Sequence, residues 1–216
     1  MELIKERKSL RQEVYNRIKQ EIVTCQLSPG ESISELQFVD RYQVSKTPIR
    51  EALTVLHKDG LVHYTPNRGF TVAPVSIRDV QEIFEARVFF ETTLFRLALV
   101  NLTDENIALL DDLARVEDHL SEPAAIDVIL QTNEDFHLEI ARIAGNSRLL
   151  GYYRLLLNEA QRLIYMDLQT GNSPHIWHSS HHTIMEAIHN RDEEAGVHCI
   201  REVLLKAKRR VLGIEE

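Results

Sequence analysis

The sequence predicts a mainly α protein in two parts: a winged helix-turn-helix over residues 1–75, with a small β-hairpin as its wing, and an antiparallel six-helix bundle over residues 76–216. Three observations predict it. Residues 34–73 place two short helical patterns, a tight turn and two alternating apolar runs in that order. From Ser76 onward, apolar residues recur at helical spacing between short breaks. Charge is segregated as well. Residues 1–75 hold 11 Lys and Arg against 9 Asp and Glu, so the acidic excess behind the net charge of −8 lies in residues 76–216. A chain of 216 residues can hold one small and one medium core.

In the first part, Ser34 is a candidate N-cap for a helix bearing Leu36, Phe38 and Val39. The link Tyr42-Gln43-Val44 runs to a second cap, Ser45 or Thr47. Pro48 then falls in the first turn, where its missing N–H would be unpaired anyway. From Pro48 to Lys58 the residues Ile49, Ala52, Leu53, Val55 and Leu56 make one apolar face for packing on the preceding helix. Ser45, Lys46, Thr47 and Arg50 are left at the exposed end. Arg and Lys reach phosphates or the guanine O6/N7 edge, hydroxyls bond phosphate or base edges, and a helix N-terminus favours a phosphate. Lys58-Asp59-Gly60 ends the helix. The runs 61–64 and 70–72 then alternate like strands around a basic tip that holds Asn67, Arg68 and Gly69 and can reach a neighbouring groove or the backbone.

In the second part, residues 79–100 carry Val80, Ile83, Phe84, Val88, Phe90, Leu94 and Leu97. Thr103-Asp104-Glu105 starts a helix running to about residue 120, and Glu122-Pro123 opens another that ends at Gly145-Asn146. Ser147 starts a long helix to about residue 168, and residues 170–174 read as a loop. A last pair covers about 175–189 and 193–212. Cys25 and Cys199 give no disulfide framework, the start MELIKERKSL lacks an apolar signal core, and no apolar run reaches about 18 residues. The expectation is a cytoplasmic protein with no membrane partner.

Several polar residues of the bundle stand out. Asn133 and His137 lie one helical turn apart and share a face, and His181 on a later helix can meet them at one centre; the alternative is a pair of satisfied core histidines. Arg87 in the middle of an apolar helix is costly unless paired, so it is expected to meet Glu91, another buried acid or a ligand carboxylate. Arg162 and Tyr165 on the long helix could line the same pocket or face outward. His175, His178, His182 and His189 crowd near a loop and read as a solvated surface, because no spacing there matches a zinc finger.

The run Val44-Ser45-Lys46-Thr47-Pro48-Ile49-Arg50-Glu51-Ala52-Leu53, with Asp59-Gly60-Leu61-Val62 and Arg68-Gly69-Phe70-Thr71-Val72, resembles the winged helix-turn-helix of GntR-type bacterial transcription regulators. The likeness extends upstream to residues 14–22, like the family's first helix, and to Leu27-Ser28-Pro29-Gly30-Glu31, like its Leu-x-Pro-Gly turn. Most members carry Arg where this chain has Lys46, and often a basic residue at Leu36. Lys46 keeps the charge and loses bidentate geometry. The second part resembles the FCD ligand-binding domain of the FadR branch, in Glu85-Ala86-Arg87-Val88-Phe89-Phe90-Glu91, in Asn133-Glu134-Asp135-Phe136-His137 through Ala144-Gly145-Asn146, and in residues 181–188 before Arg191-Asp192. Six helices without a seventh look more like its VanR subgroup.

What the resemblance implies is a DNA-binding transcription regulator, a repressor, that binds an inverted-repeat operator as a homodimer and responds to a small metabolite in the helical domain. It implies an effector-lining role for Arg87, and Arg87 with a possible metal points to an organic acid as effector. Many members hold a divalent metal (zinc, nickel or manganese) through an Asp-x-x-x-His pair and two further histidines. The corresponding positions are Asn133, His137, His181 and Val203. Asn133 is a neutral oxygen donor and Val203 no donor, so a weakened three-ligand site and a metal-free pocket both stay open. Cys199, one turn before Val203, is displaced along the axis by about 5.4 Å. The rival reading is a helical metal-dependent enzyme using Asn133, His137 and His181 with an appended DNA-binding module. No nucleophile or poised base supports it, since Glu134 and Asp135 do not share the face of His137.

Overall fold

A computed structural model describes residues 2–116, 126–169 and 175–214, with side chains described from Leu10 and, in the last segment, from His181. It divides into two compact units, Met1–Ser76 and Ile77–Glu216.

The first unit runs α1 (Glu2–Val23), β1 (Ser32–Ile33), α2 (Glu35–Tyr42), α3 (Lys46–Lys58), β2 (Val62–Thr65) and β3 (Gly69–Val72). Val14, Ile18 and Ile22 recur every fourth residue of α1, so they form one stripe. That stripe shares a core with Phe38 of α2 and with Ile49, Ala52, Leu53 and Leu56 of α3. Ser34 caps α2 by accepting the Gln37 N–H at 3.4 Å, and Gln43 turns the chain at φ 55° before Ser45 opens α3. The Tyr15 hydroxyl donates to Asp59 and the Tyr42 hydroxyl to Glu21, both at 2.7 Å, so α1 is tied to the end of each helix.

The strands form an antiparallel sheet in the order β1-β3-β2. β2 and β3 are the expected hairpin, with β2 one residue later in the chain than expected and β3 beginning one residue earlier. β1 was not expected: Ser32 pairs with Thr71 and Ile33 with Phe70, and two residues are too few to show a period of two. Gly30, at φ 80°, lets the turn before β1 donate its N–H to the Val72 carbonyl.

The second unit holds six helices among the described residues: α4 (Ile77–Asn101), α5 (Asp104–Arg115), α6 (Ile126–Ile143), α7 (Ser147–Gln169), α8 (His175–Asn190) and α9 (Glu193–Val211). α4 packs on α6, α7 and α9, while α8 packs on α5 and α9. The close approach of α4 and α9 depends on Gly196, where a Cβ would run into the Phe95 ring. Thr103 and Asn106 form a reciprocal capping box at the start of α5, and Asp192 caps α9 by accepting the Ala195 N–H at 3.0 Å. Asp167, fully buried on α7, accepts from Arg210 Nε and Nη2, each at 2.7 Å. The expected extension of α5 to about residue 120, the Glu122-Pro123 start and the 170–174 loop lie outside the described residues. Among the described residues no helix is long and apolar enough to cross a membrane.

Candidate functional site

Two places on the molecule gather unusual chemistry. The first is the start of α3. Ser45 is its N-cap residue but makes no side-chain cap bond, so its hydroxyl stays available. Ser45, Lys46, Thr47 and Arg50 are all exposed, while Ile49, Ala52, Leu53 and Leu56 of the same helix are buried. The helix thus turns one face inward and presents its basic N-terminal face to solvent. At the wing tip Asn67 (φ 65°) and Gly69 (φ 82°) bend the chain, Arg68 donates its N–H to the Thr65 carbonyl at 3.1 Å, and both Asn67 and Arg68 are exposed. Leu36 is 64 % exposed, so an apolar side chain stands in solvent on α2.

Glu35, which sequence reasoning passed over, sits between the two basic residues of α3. Its carboxylate accepts from Arg50 Nε at 3.0 Å on both oxygens and lies 3.2 Å from Lys46 Nζ. Burial alone would raise this carboxyl, but Arg50 and Lys46 outweigh it and hold it below the ordinary value. The only signal in the sequence is an acid directly after a helix cap. Its partners lie 11 and 15 residues on, and only the α2–α3 turn brings them together.

The second place is inside the helical unit. Arg87 of α4 is wholly buried, donates Nε to Glu91 Oε1 at 2.7 Å, and lays its guanidinium 5.7 Å from the centre of the Phe84 ring. Of the partners that the sequence left open for Arg87, the structure shows Glu91. The other Glu91 oxygen lies 3.6 Å from His137 Nδ1. The Arg87 Nη1 and Nη2 groups are buried with no hydrogen-bond partner among the described residues. Arg87 borders a small cavity with space for about one water. Glu91 and His137 complete its polar lining; Ile184 from α8 and Ile200, Val203 and Leu204 from α9 make the rest apolar. Two unpaired guanidinium nitrogens against an apolar wall make a receptor for a planar anion such as a carboxylate.

Asn133, His137 and His181, all buried, come together beside this cavity. His181 Nε2 is 3.3 Å from Asn133 Oδ1, and the two imidazole centroids are 5.5 Å apart. Burial, with the Arg87 charge adding to it, pushes His137 down to about 3, so the ring is neutral and carries a lone pair. Val203 lines the cavity without offering a donor. Among the described residues no three His, Cys, Asp or Glu side chains are grouped as a metal needs. One amide oxygen and two imidazoles fit only a three-donor site with open positions. Cys199 is half-buried and burial raises its thiol, which disfavours the thiolate a metal would need.

Arg162 is buried and Tyr165 half-buried on α7, and neither belongs to the lining of the Arg87 cavity. His182 and His189 border a separate surface depression with Asp111 and Glu186, where His189 Nε2 lies 3.0 Å from Asp111. The side chains of His175 and His178 lie outside the described residues.

Comparison with known proteins identifies the family of each unit. Residues 10–72 match the family described as bacterial regulatory proteins, gntR family, and residues 82–206 match the FCD domain. The chain is 30% identical over 172 residues to the Nta operon transcriptional regulator of Aminobacter aminovorans, with 80% of each protein covered. It is 26% identical over 184 residues to the HTH-type transcriptional repressor RspR of Escherichia coli K12, covering 85% of this chain and 81% of that one. Among solved structures, E. coli McbR/YncC superposes with a TM-score of 0.81 at 24% identity, covering 94% of this chain and 97% of the other, which establishes the shared fold.

Proposed function

Because the chain belongs to the GntR family of bacterial transcription regulators and carries an FCD domain behind its DNA-binding unit, we propose that it is a ligand-responsive repressor whose operator affinity is set by a small carboxylate in the helical unit. Its relatives are transcription regulators, which sets the metal-dependent enzyme reading aside. The observation that carries the proposal is Arg87, wholly buried with both Nη groups unpaired at a cavity. A buried cation that leaves donors unsatisfied is costly, and an anionic occupant removes that cost.

On the DNA side, Ser45, Lys46, Thr47 and Arg50 enter a major groove, while Asn67, Arg68 and Gly69 at the wing tip approach the backbone or the neighbouring groove. The protein works as a homodimer in the cytoplasm, and its two-fold symmetry selects an inverted-repeat operator. Phe89 and Val100 on α4 and Tyr152 and Leu155 on α7 are exposed apolar side chains on two helices that pack together, and they support an interface with a second copy there.

Coupling follows from the size of the cavity. It holds about one water, so a carboxylate with a carbon chain enters only if the lining from α8 and α9 moves. Occupancy then favours a different placement of those helices, and operator affinity shifts by the difference in ligand affinity between the two placements. Asn133, His137 and His181 would hold any divalent metal, which would supply a second positive charge for the carboxylate oxygens. The test is a thermal-shift screen of mono- and dicarboxylates on the wild type and on Arg87→Lys, which keeps the charge but loses the planar fork. Stabilisation of the wild type that is lost in Arg87→Lys is expected. Equal stabilisation of both would move the effector elsewhere.

A further inference from the structure

We propose that Glu35 is a specificity-determining residue of the DNA reader, gripping the Nε edge of Arg50 and the ammonium of Lys46 so that Arg50 presents its two Nη groups to a guanine edge. The inference rests on the reading of the α3 face as the groove-facing surface. Glu35 comes from the first turn of α2, not from α3 itself, so it is fixed by the helix that packs behind the reader. Its side chain is only 14% exposed, whereas those of Lys46 and Arg50 are 52% and 64% exposed. The acid is thus set back and the two cations stand in front of it.

Geometry settles which part of Arg50 is used. Both oxygens of Glu35 accept from Arg50 Nε at 3.0 Å. That contact occupies the inner edge of the guanidinium and leaves the outer fork, Nη1 and Nη2, for DNA. A guanine offers two acceptors, O6 and N7, at the spacing of that fork, and a phosphate accepts the same fork from any sequence. Two consequences follow from the carboxylate. An Arg held by its inner edge has fewer rotamers to give up on binding, so the fork is pre-aimed at one base step. The negative charge also offsets one of the two cations at this face, which weakens sequence-independent attraction to phosphates more than it weakens a hydrogen-bonded base contact. Because both cations of the pair are largely exposed, the arrangement adds little to folding stability, so stability is a poor explanation for it. Burial works to raise the Glu35 carboxyl, but Arg50 and Lys46 together hold it below its ordinary value.

The experiment uses the full-length protein and a library of duplexes with a randomised centre. The wild type first selects its consensus; affinities of Glu35→Gln, Arg50→Ala and Lys46→Ala are then measured on the consensus, on its single-base variants and on the random pool. Arg50→Ala is expected to lose the preference for one base pair in each half-site. Glu35→Gln is expected to lose about tenfold of that same preference, the scale of one bidentate base contact, and to bind the random pool more tightly, with an unchanged melting temperature. Glu35→Asp, which keeps the charge, should recover part of the preference. Wild-type base preference in Glu35→Gln, alongside a defective Arg50→Ala, would overturn the role of Glu35 and leave the α3 surface standing. Unchanged DNA binding in both Arg50→Ala and Lys46→Ala would remove the α3 surface itself, and the proposal with it.

Discussion

Each unit of the molecule carries an arginine that donates Nε to a glutamate, yet the two pairs live under opposite conditions. The Arg50 side chain is 64% exposed beside Glu35, and the Arg87 side chain is 1% exposed beside Glu91. In both, the inner edge of the guanidinium is engaged and the outer fork is left over. For Arg50 the fork is hydrated, so leaving it unpaired costs little and it can be handed to DNA. For Arg87 water is largely excluded, and the unpaired fork is a standing penalty that only an occupant of the cavity relieves. One chemical motif thus serves as a ready surface in one unit and as an incomplete core in the other. Solvent decides which.

The comparison is easiest to break through stability. Arg87→Ala leaves Glu91 buried without its cation and should cost about 3–5 kcal/mol, seen as a large fall in the melting transition of the helical unit. Arg50→Ala, by contrast, should stay within about 0.5 kcal/mol of wild type in the same measurement. Similar losses for the two variants would mean that burial does not separate the pairs. On DNA the order should reverse. Arg50→Ala combined with Lys46→Ala should weaken consensus binding by about 1–3 kcal/mol for each side chain truncated, read by fluorescence anisotropy, and should flatten its salt dependence.

Packing around the buried pair gives a smaller effect. Gly196→Ala drives a Cβ into the Phe95 ring and should cost about 1–3 kcal/mol of stability, because α4 and α9 must separate or Phe95 must leave its place. If that shift also alters effector affinity while DNA affinity without effector holds, the α4–α9 seam belongs to the coupling. The smallest effect concerns metal. With three donors at most, any divalent ion is held weakly, so EDTA should lower the melting temperature of the wild type slightly and that of His137→Ala not at all. A wild type indifferent to EDTA would assign the cavity to Arg87 alone.

How much of this could be read from the sequence follows from the same contrast. The fold of the first unit was legible in detail, because Ser34, Pro48, the Ile49–Leu56 stripe and the Asn67-Arg68-Gly69 tip are local signals whose meaning does not depend on distant chain. Two features there escaped. β1 is too short to show a pattern, and the grip of Glu35 on Arg50 needs the turn between two helices. In the bundle the helices and the Arg87–Glu91 pair were legible, since residues four apart share a face. The cavity wall was not: Ile184, Ile200 and Leu204 are ordinary apolar stripe positions, and only the packing of α4, α8 and α9 brings them to Arg87. Arg162 and Tyr165, chosen by residue type on α7, fall outside that wall for the same reason.

The central claim is that a carboxylate held by Arg87 changes what the reader does, and operator affinity with and without saturating ligand tests it most directly. With a carboxylate that stabilises the wild type, anisotropy titration of the selected duplex should show affinity shifted by about 5–150-fold, and the same ligand should leave operator binding by Arg87→Lys unchanged. Operator affinity that stays constant while the ligand demonstrably occupies the helical unit would contradict the account.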